Sequence, residues 1–159
     1  MTVDDSRREG KRSRLDWSWL GSVALAAIGL LDSIYLTWIK LADQVASCGG
    51  IGDCEAVNAS RYAEIAGVPI ALFGAAAYLL VLVLLFVERR EGTVGEAARF
   101  AIFGVTLAGT IYSAYLTYLE IFILKAICPF CVVSALAMLG LFVLSLVRLD
   151  LWGRLPEEG

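Results

Sequence analysis

The sequence predicts an all-α integral membrane protein in which four transmembrane helices form a bundle. Of its 159 residues, 59% are hydrophobic and only 18% are charged. The mean hydropathy of +0.76 is far above that of a soluble domain. The apolar residues also fall into four runs, each long enough to cross a hydrocarbon core of roughly 30 Å. A chain of this length has room for one domain.

Polar segments of unequal length separate the four apolar runs. The predicted spans are residues 17–39, 68–87, 100–124 and 127–147. The interval 40–67 is the longest polar segment, and a short helix over 55–66 is expected to lie on the membrane surface. A charged turn over 88–99 joins the second and third spans, whereas the last gap allows only a hairpin.

The distribution of basic residues predicts the orientation in the membrane. Five of the thirteen Lys and Arg residues precede the first span, three lie between the second and third, and two follow the fourth. The positive-inside rule therefore places both termini in the cytoplasm. We expect a cytoplasmic tail at 1–16, a membrane domain at 17–148 with a long first outer loop at 40–67, and a second cytoplasmic tail at 149–159. The first tail has nothing apolar enough to fold.

Four cysteines occur as two pairs, and both pairs fall in segments predicted to be outside. Cys48 and Cys54 lie in the long loop, whereas Cys128 and Cys131 open the last span. In a C-x-x-C pair the sulfurs lie about one helical turn apart, close enough for a reversible disulfide. Pro129 favours a first helical turn, where free N–H groups and the helix dipole stabilise a thiolate. Thiol redox chemistry is therefore the first hypothesis.

The chain resembles itself at an offset of 80 residues, with seven identities in a window of twenty. The matching residues are Gly29, Ser33, Tyr35, Leu36, Thr37, Ala46 and Cys48, which correspond to Gly109, Ser113, Tyr115, Leu116, Thr117, Ala126 and Cys128. Each half would be an out-and-back helix pair, as in parallel repeats of membrane proteins. Shared apolar composition is the alternative explanation. The repeat places one fixed pair and one loop-borne pair of cysteines at the same face, which suits a two-electron relay.

Composition limits the chemistry that can accompany the thiols. Histidine is absent, so catalysis must use thiols, carboxylates, hydroxyls or a bound cofactor. No metal or flavin motif is visible, and we expect a lipid-soluble quinone to accept the electrons. Aromatic and small polar side chains near the outer ends of the helices are the candidates for binding it. They are Phe73, Tyr115, Tyr118, Phe130 and Ser60.

These patterns resemble the bacterial form of the vitamin K epoxide reductase family. The likeness covers residues 17–148 and depends on the order and spacing of the two cysteine pairs. The residues that carry it are Cys48 and Cys54, Ser60, Gly67-Val68-Pro69, Tyr115-Leu116 and Cys128-Pro129-Phe130-Cys131-Val132-Val133-Ser134. The family fold is a four-helix bundle around a quinone.

The resemblance implies a role for each cysteine. Cys131 would face the quinone and Cys128 would exchange with the loop. Cys54 would pass electrons to Cys128, and Cys48 would meet an external thiol protein. Ser60 matches a loop serine thought to steady the redox centre. The implied protein is a thiol oxidase of the bacterial inner membrane that reduces menaquinone or ubiquinone, holds no metal and supports disulfide formation in exported proteins.

Two features depart from the family pattern. Many members carry an aromatic hydroxyl inside C-P-x-C, which Phe130 lacks. Many bacterial members also continue into a thioredoxin-like domain, whereas this sequence stops at Gly159. The expected partner is therefore a separate DsbA-like, thioredoxin-like protein outside the cytoplasm.

Three other readings compete with this one. The DsbB family of four-helix thiol oxidases has its C-x-x-C in the first outer loop, and that order is reversed here. A zinc-binding scaffold is a second alternative, because C-x-x-C is half of a four-cysteine zinc site. A scaffold stapled by inert disulfides is the third.

Two acidic residues fall inside the predicted spans, where ionisable groups are costly and often functional. Glu120 is expected near the outer interface, within reach of an ion pair with Lys40. Asp32 lies deeper. It would be either a neutral, hydrogen-bonded carboxyl or a proton relay to the quinone.

Overall fold

The computed structural model describes residues 3–42, 56–57, 60, 63–65 and 67–153. Its helices are α1 (Val3–Leu41), α2 (Ile70–Val87), α3 (Thr93–Tyr118) and α4 (Pro129–Gly153). A π-helical segment, Leu119–Leu124, continues α3. Four helical stretches are long and apolar enough to cross a membrane. The predicted all-α fold with four spans is confirmed.

The four helices pack as a ring. Helix α1 contacts α2 and α4, and α3 contacts the same two helices from the other side. The buried core contains small and medium side chains together with one tyrosine: Ala26, Tyr78, Val81, Leu85, Ile102, Ala137, Met138 and Leu141. We call the end where α1 finishes and α4 begins the cysteine end, and the end with the α2–α3 turn the opposite end.

The segment before α2 differs from the prediction. Residues 56–57 are helical, but Glu64–Ile65 (β1) pairs in antiparallel fashion with Val68–Pro69 (β2). Gly67 lies in the connecting turn with φ of 81°, a conformation that glycine adopts without a steric penalty. The predicted surface helix over 55–66 is therefore wrong at its C-terminal end, because this turn reverses the chain.

Helices extend further into the charged segments than predicted. Helix α1 begins at Val3, so most of the predicted tail at 1–16 is helical. The turn predicted over 88–99 shortens to 88–92, and α4 continues past residue 147 to Gly153. Arg, Lys and Glu are good helix formers, and extending an existing helix avoids the cost of nucleation. The scarcity of apolar residues in the charged segments therefore did not predict where the helices begin and end.

Two glycines of the predicted repeat lie where helices approach closely. A Cβ at Gly29 would overlap the ring of Tyr78 on α2, and one at Gly109 would lie 2.8 Å from Met138 Sδ on α4. Small residues permit such close packing between membrane helices. Gly29 thus allows α1 to pack closely against α2, and the equivalent Gly109 allows α3 to pack closely against α4.

Hydroxyl groups within the spans bond to carbonyls of their own helix. Thr37 Oγ1 donates to Ser33 O at 2.7 Å, and the corresponding Thr117 Oγ1 donates to Ser113 O at 2.9 Å. Such bonds to the i−4 carbonyl satisfy a polar side chain within an apolar helix. They also extend the correspondence between the halves of the repeat to hydrogen bonding.

A buried polar cluster joins the helices at the opposite end. Arg148 of α4 forms a salt bridge with Glu88, and both side chains are about 6% exposed. Arg148 Nη1 also donates to Ser22 Oγ of α1 at 3.3 Å, and Arg99 Nη2 of α3 donates to the Glu88 carbonyl at 3.4 Å. The charges of Arg148 and Glu88 are thus paired through Glu88 Oε1, whereas the buried Glu88 Oε2 has no hydrogen-bond partner among the described residues.

The close approach at Gly29 predicts a local loss of stability. Gly29→Ala should lower the free energy of unfolding by about 1–3 kcal/mol, because the added methyl forces the Tyr78 ring to move. Gly104→Ala is the matched control, since a Cβ at Gly104 has no heavy atom within 4 Å. Thermal unfolding in detergent should show a lower Tm for Gly29→Ala only. Equal Tm values for both variants would contradict this account of the helix contact.

Candidate thiol redox site

The C-x-x-C pair lies at the start of α4, as the position of Pro129 predicts. The Val132 N–H donates to Cys128 O at 3.1 Å, so Cys128 is the N-cap residue and Pro129 the first helical residue. The backbone N–H groups of Phe130 and Cys131 lie in hydrogen-bonding positions toward the Cys128 sulfur. The sulfur thus occupies the place of the oxygen in a Ser or Asp cap.

This environment lowers the pKa of Cys128 from 9.0 to about 7. The largest cause is the hydrogen bond with the Cys131 thiol, and the two backbone N–H groups act in the same direction. Burial and the charge of Glu120 oppose the shift. At neutral pH a larger fraction of Cys128 is therefore thiolate than of an unperturbed thiol. Thiolate is the nucleophilic form of cysteine.

Glu120 lies beside both cysteines. Its side chain is buried, with 4% of the residue exposed. Its Oε2 accepts the Cys128 N–H at 3.2 Å, and the carboxylate lies close enough to the Cys131 thiol to accept a hydrogen bond. The Glu120 carbonyl accepts the N–H groups of Lys125 and Ala126, the latter at 3.1 Å. Glu120 therefore holds together the π-helical segment, the following link and the start of α4.

Lys40 and Glu120 occupy different surroundings from those expected. Lys40 Nζ forms an ion pair with Glu64 Oε1 of β1 at 3.1 Å. This ion pair connects the end of α1 to the hairpin before α2. Lys40 therefore pairs with Glu64 and not with Glu120 as expected, and Glu120 contacts the cysteines.

A cavity of about 220 Å³ lies against the cysteine pair and between the helices. Much of its wall is apolar, with Leu36, Ile70 and Met138 among the lining residues. Several polar side chains also reach it, and those used below are Asp32, Ser60, Tyr78, Glu120, Cys131 and Ser134. A mostly apolar pocket with a few convergent polar groups is typical of small-molecule sites.

One of the four aromatic candidates, Phe73, lines this cavity. Phe130 packs on Tyr35, with ring centroids 5.1 Å apart. Tyr115 and Tyr118 are more than half exposed and are not among the lining residues. Helix geometry explains why Phe130 is not among the lining residues. Cys128 and Cys131 are three residues apart and share a face, whereas Phe130, two residues after Cys128, points elsewhere. Proximity in sequence to the cysteines did not predict which rings face the cavity.

Asp32 reaches the cavity from α1. Its Oδ2 is buried and has no hydrogen-bond partner among the described residues. The alternative of a neutral, hydrogen-bonded Asp32 would require a partner for Oδ2 outside the described residues or a hydrogen bond through Oδ1 alone. A buried carboxyl oxygen without a partner is costly and calls for a functional explanation.

Part of the long loop covers the cysteine end. Ser60 Oγ donates to Val57 O at 2.7 Å, and Val57 packs against the cluster formed by Cys128 and Ile39. Ser60 thus stabilises the position of Val57 beside this cluster. Cys48 and Cys54 lie outside the described residues.

Two polar residues at the cavity were not predicted as site residues. Tyr78 Oη donates to Ser134 O at 2.7 Å and lies 3.0 Å from Ser134 Oγ. Ser134 follows Cys131 by one turn of α4. The sequence signal for Tyr78 is a phenol within the otherwise apolar α2, but ordinary packing gives the same signal.

The described part of the chain contains no group of three or more His, Cys, Asp or Glu residues arranged to hold a metal ion. Two of the four cysteines lie outside that part. The four-thiolate zinc hypothesis therefore still depends on experiment.

Fold and site together define a multi-pass membrane protein with a vicinal thiol pair facing an apolar cavity. The sequence matches the vitamin K epoxide reductase family over residues 20–146, and the chain belongs to that family. The resemblance drawn from the cysteine spacing is confirmed. Thiol-disulfide oxidoreductase LTO1 of Arabidopsis thaliana is 37% identical over 123 residues, which is 73% of this chain and 32% of that protein. The chain spans about a third of the length of this relative.

The hydrogen bond between the two thiols predicts the pH dependence of alkylation. In protein carrying Cys48→Ser and Cys54→Ser, the alkylation rate of reduced Cys128 should have its midpoint near pH 7. Replacing Cys131 by Ala removes the largest cause of the lowered pKa, so the midpoint should rise toward 9.0. Cys131→Ser keeps a donor and should retain most of the shift. Identical midpoints for the Ala and Ser variants, measured by mass spectrometry, would contradict this assignment.

Proposed function

We propose that the chain is a membrane thiol oxidase that reduces a quinone. Electrons would enter from a thioredoxin-like protein outside the cytoplasm through Cys48 and Cys54. They would then pass to Cys128 and Cys131 and on to menaquinone or ubiquinone. The observation that carries this proposal is the position of Cys128 and Cys131, at a helix N-terminus and on the wall of an apolar cavity.

The cavity suits the ring of a quinone. An apolar cavity of about 150 Å³ can hold benzene, so about 220 Å³ accommodates a substituted ring. Phe73 offers an aromatic wall, and Ser134 and Asp32 offer polar groups to the ring oxygens. A bound quinone supplies the acceptor for two electrons and two protons. The residues of this chain orient it beside Cys131 and limit the access of water.

The covalent connection of the loop supports exchange between the two cysteine pairs. Val57 packs against the cluster of Cys128 and Ile39, and three peptide units separate Val57 from Cys54 in the sequence. Three units span at most roughly 11 Å, so this connection is short enough to allow exchange between Cys54 and Cys128. Ser60 would act as a positioning residue through its hydrogen bond to Val57. Cys48 would then meet the external thiol protein.

Chemically, the relay is a sequence of thiol–disulfide exchanges. Cys54 of the reduced loop pair attacks Cys128 in the Cys128–Cys131 disulfide, and the Cys131 thiolate leaves. Cys48 then resolves the Cys54–Cys128 mixed disulfide, which gives a Cys48–Cys54 disulfide and a Cys128–Cys131 dithiol. The dithiol passes two electrons to the quinone and returns to the disulfide.

The proposed location is the inner membrane of a bacterium. Residues 1–16 and 149–159 would lie in the cytoplasm, residues 17–148 would form the membrane domain, and the cysteine end would face outward. The asymmetric distribution of Lys and Arg supports this orientation. The partner would be a DsbA-like protein that is reoxidised by the loop pair.

Disulfide formation in an exported reporter protein tests the relay directly. In bacteria lacking their own thiol oxidase, the wild-type chain expressed with a thioredoxin-like partner should restore reporter oxidation. Cys131→Ala should not, because it removes one sulfur of the pair beside the cavity. Val133→Ala, an exposed neighbour on the same helix, is a control for expression and insertion.

The competing readings predict other outcomes of the same assay. Failure of the wild type, with the chain in the membrane and a functional partner, would count against the oxidase. Zinc bound by purified protein, and lost when Cys128 is replaced, would then favour the zinc scaffold. Disulfides that resist mild reductant and ignore quinone would favour the stapled scaffold.

The unpaired oxygen of Asp32 predicts a contribution to quinone reduction. Asp32→Asn should lower the turnover of quinone by tenfold or more, because general acid–base groups contribute about 10²–10⁴-fold and an amide cannot transfer the proton. Asp32→Glu should recover part of the activity. Quinone turnover that is unchanged across pH in Asp32→Asn would remove the proton-relay hypothesis.

A further inference from the structure

We propose that Glu120 is the general base of the Cys128–Cys131 pair and carries a thiol proton toward the quinone cavity. This inference rests on the proposed function and adds a proton route to its electron route. It assigns a catalytic role to a carboxylate that the sequence marked only as an unusual charge in a membrane span.

The contacts of Glu120 bring its carboxylate against both cysteines and the cavity. Oε2 accepts the Cys128 N–H at 3.2 Å, and the carboxylate is within hydrogen-bonding reach of the Cys131 thiol. Glu120 also lines the cavity. A proton leaving Cys131 therefore has an acceptor that touches both the thiol and the space assigned to the quinone.

The backbone around Glu120 is specialised for this position. Leu119–Leu124 is π-helical, and such segments are rare and frequently occur at functional sites. It ends at Lys125, a non-glycine residue with φ of 49°. The Glu120 carbonyl accepts two N–H groups from the link to α4. The local structure thus holds the carboxylate against the cysteine pair, at the cost of regular α-helical geometry.

The chain offers few other groups for this task. It contains no histidine. The other ionisable side chains that line the cavity in the described part of the chain are Asp32 from α1, Tyr78 from α2 and Tyr112 from α3, besides the cysteines themselves. Among these groups, only Glu120 is a carboxylate with a hydrogen bond to the C-x-x-C backbone.

The atoms and electrons balance as follows. Oxidation of the dithiol forms one S–S bond and releases two electrons and two protons. The Cys131 proton passes to the Glu120 carboxylate, whereas the Cys128 proton leaves to water when its thiolate forms. The quinone receives both electrons, one proton from Glu120 and one that comes from water through Asp32, and becomes the quinol. Glu120 is then again ionised.

Alkylation of a single thiol tests the charge on Glu120 without quinone. In protein whose only cysteine is Cys128, with Ser at the other three positions, Glu120→Gln should lower the pH midpoint of alkylation, because the ionised carboxylate raises the pKa of Cys128. The amide retains an oxygen that can accept the Cys128 N–H. An unchanged midpoint would overturn the proposal, since the base must be ionised beside the pair.

Quinone reduction by the full-cysteine protein tests the transfer step. Glu120→Gln should lower turnover about 100-fold near pH 7, the scale of general-base catalysis, and the deficit should shrink as hydroxide replaces the carboxylate at higher pH. Glu120→Asp should recover part of the rate. Glu96→Gln is the matched control, because this exposed glutamate lies in the first turn of α3 at the opposite end.

The two assays separate the competing outcomes. A lower alkylation midpoint together with lower turnover supports the base. A lower midpoint with unchanged or faster turnover overturns it and leaves only an electrostatic neighbour. A wild type that does not reduce quinone at all refutes the proposed function, and the proton route with it. If the Glu120→Gln variant were inactive only because it misfolds, its Tm would be lower than that of the Glu96→Gln variant.

Discussion

The structure depends on the absence of water from the hydrocarbon layer, which favours partners inside the protein for the polar groups of the spans. Hydroxyls such as those of Thr37 and Thr117 bond to their own helix. Arg148 and Glu88 neutralise each other at the opposite end. The link between α3 and α4 meets the same constraint through the carbonyl and carboxylate of Glu120. Structure and chemistry coincide at that residue.

The same constraint explains the reactivity of the cysteine pair. The first N–H groups of a helix have no intrahelical partner, and at the start of α4 the sulfur of Cys128 receives two of them. The pKa of the Cys128 thiol is lowered most by the hydrogen bond with Cys131, and the capping N–H groups act in the same direction. A serine at this position would cap the helix equally well but would provide no redox chemistry.

The sequence was sufficient to predict those features of the fold whose physical signal is strong and local. Four long apolar runs predict four spans, and Pro129 after Cys128 predicts the start of α4. It was less informative about the ends of α1 and α3, where charged residues continue a helix already formed. The sequence did not indicate that Phe73 lines the cavity and Phe130 does not, because the direction of each side chain depends on the rotation of its helix about its axis. The contact of Glu120 with the cysteines depends on a π-helical segment, for which no residue pattern was recognised.

A carboxylate near a thiolate is at first sight a disadvantage, since the charge of Glu120 opposes the ionisation of Cys128. The pair of N–H groups and the Cys131 thiol outweigh it, because the pKa still falls to about 7. A site that needed only a stable thiolate would gain from a neutral residue at position 120. Retaining a buried acid there, beside a second thiol and an apolar cavity, makes sense if protons must move together with electrons in a mostly apolar site.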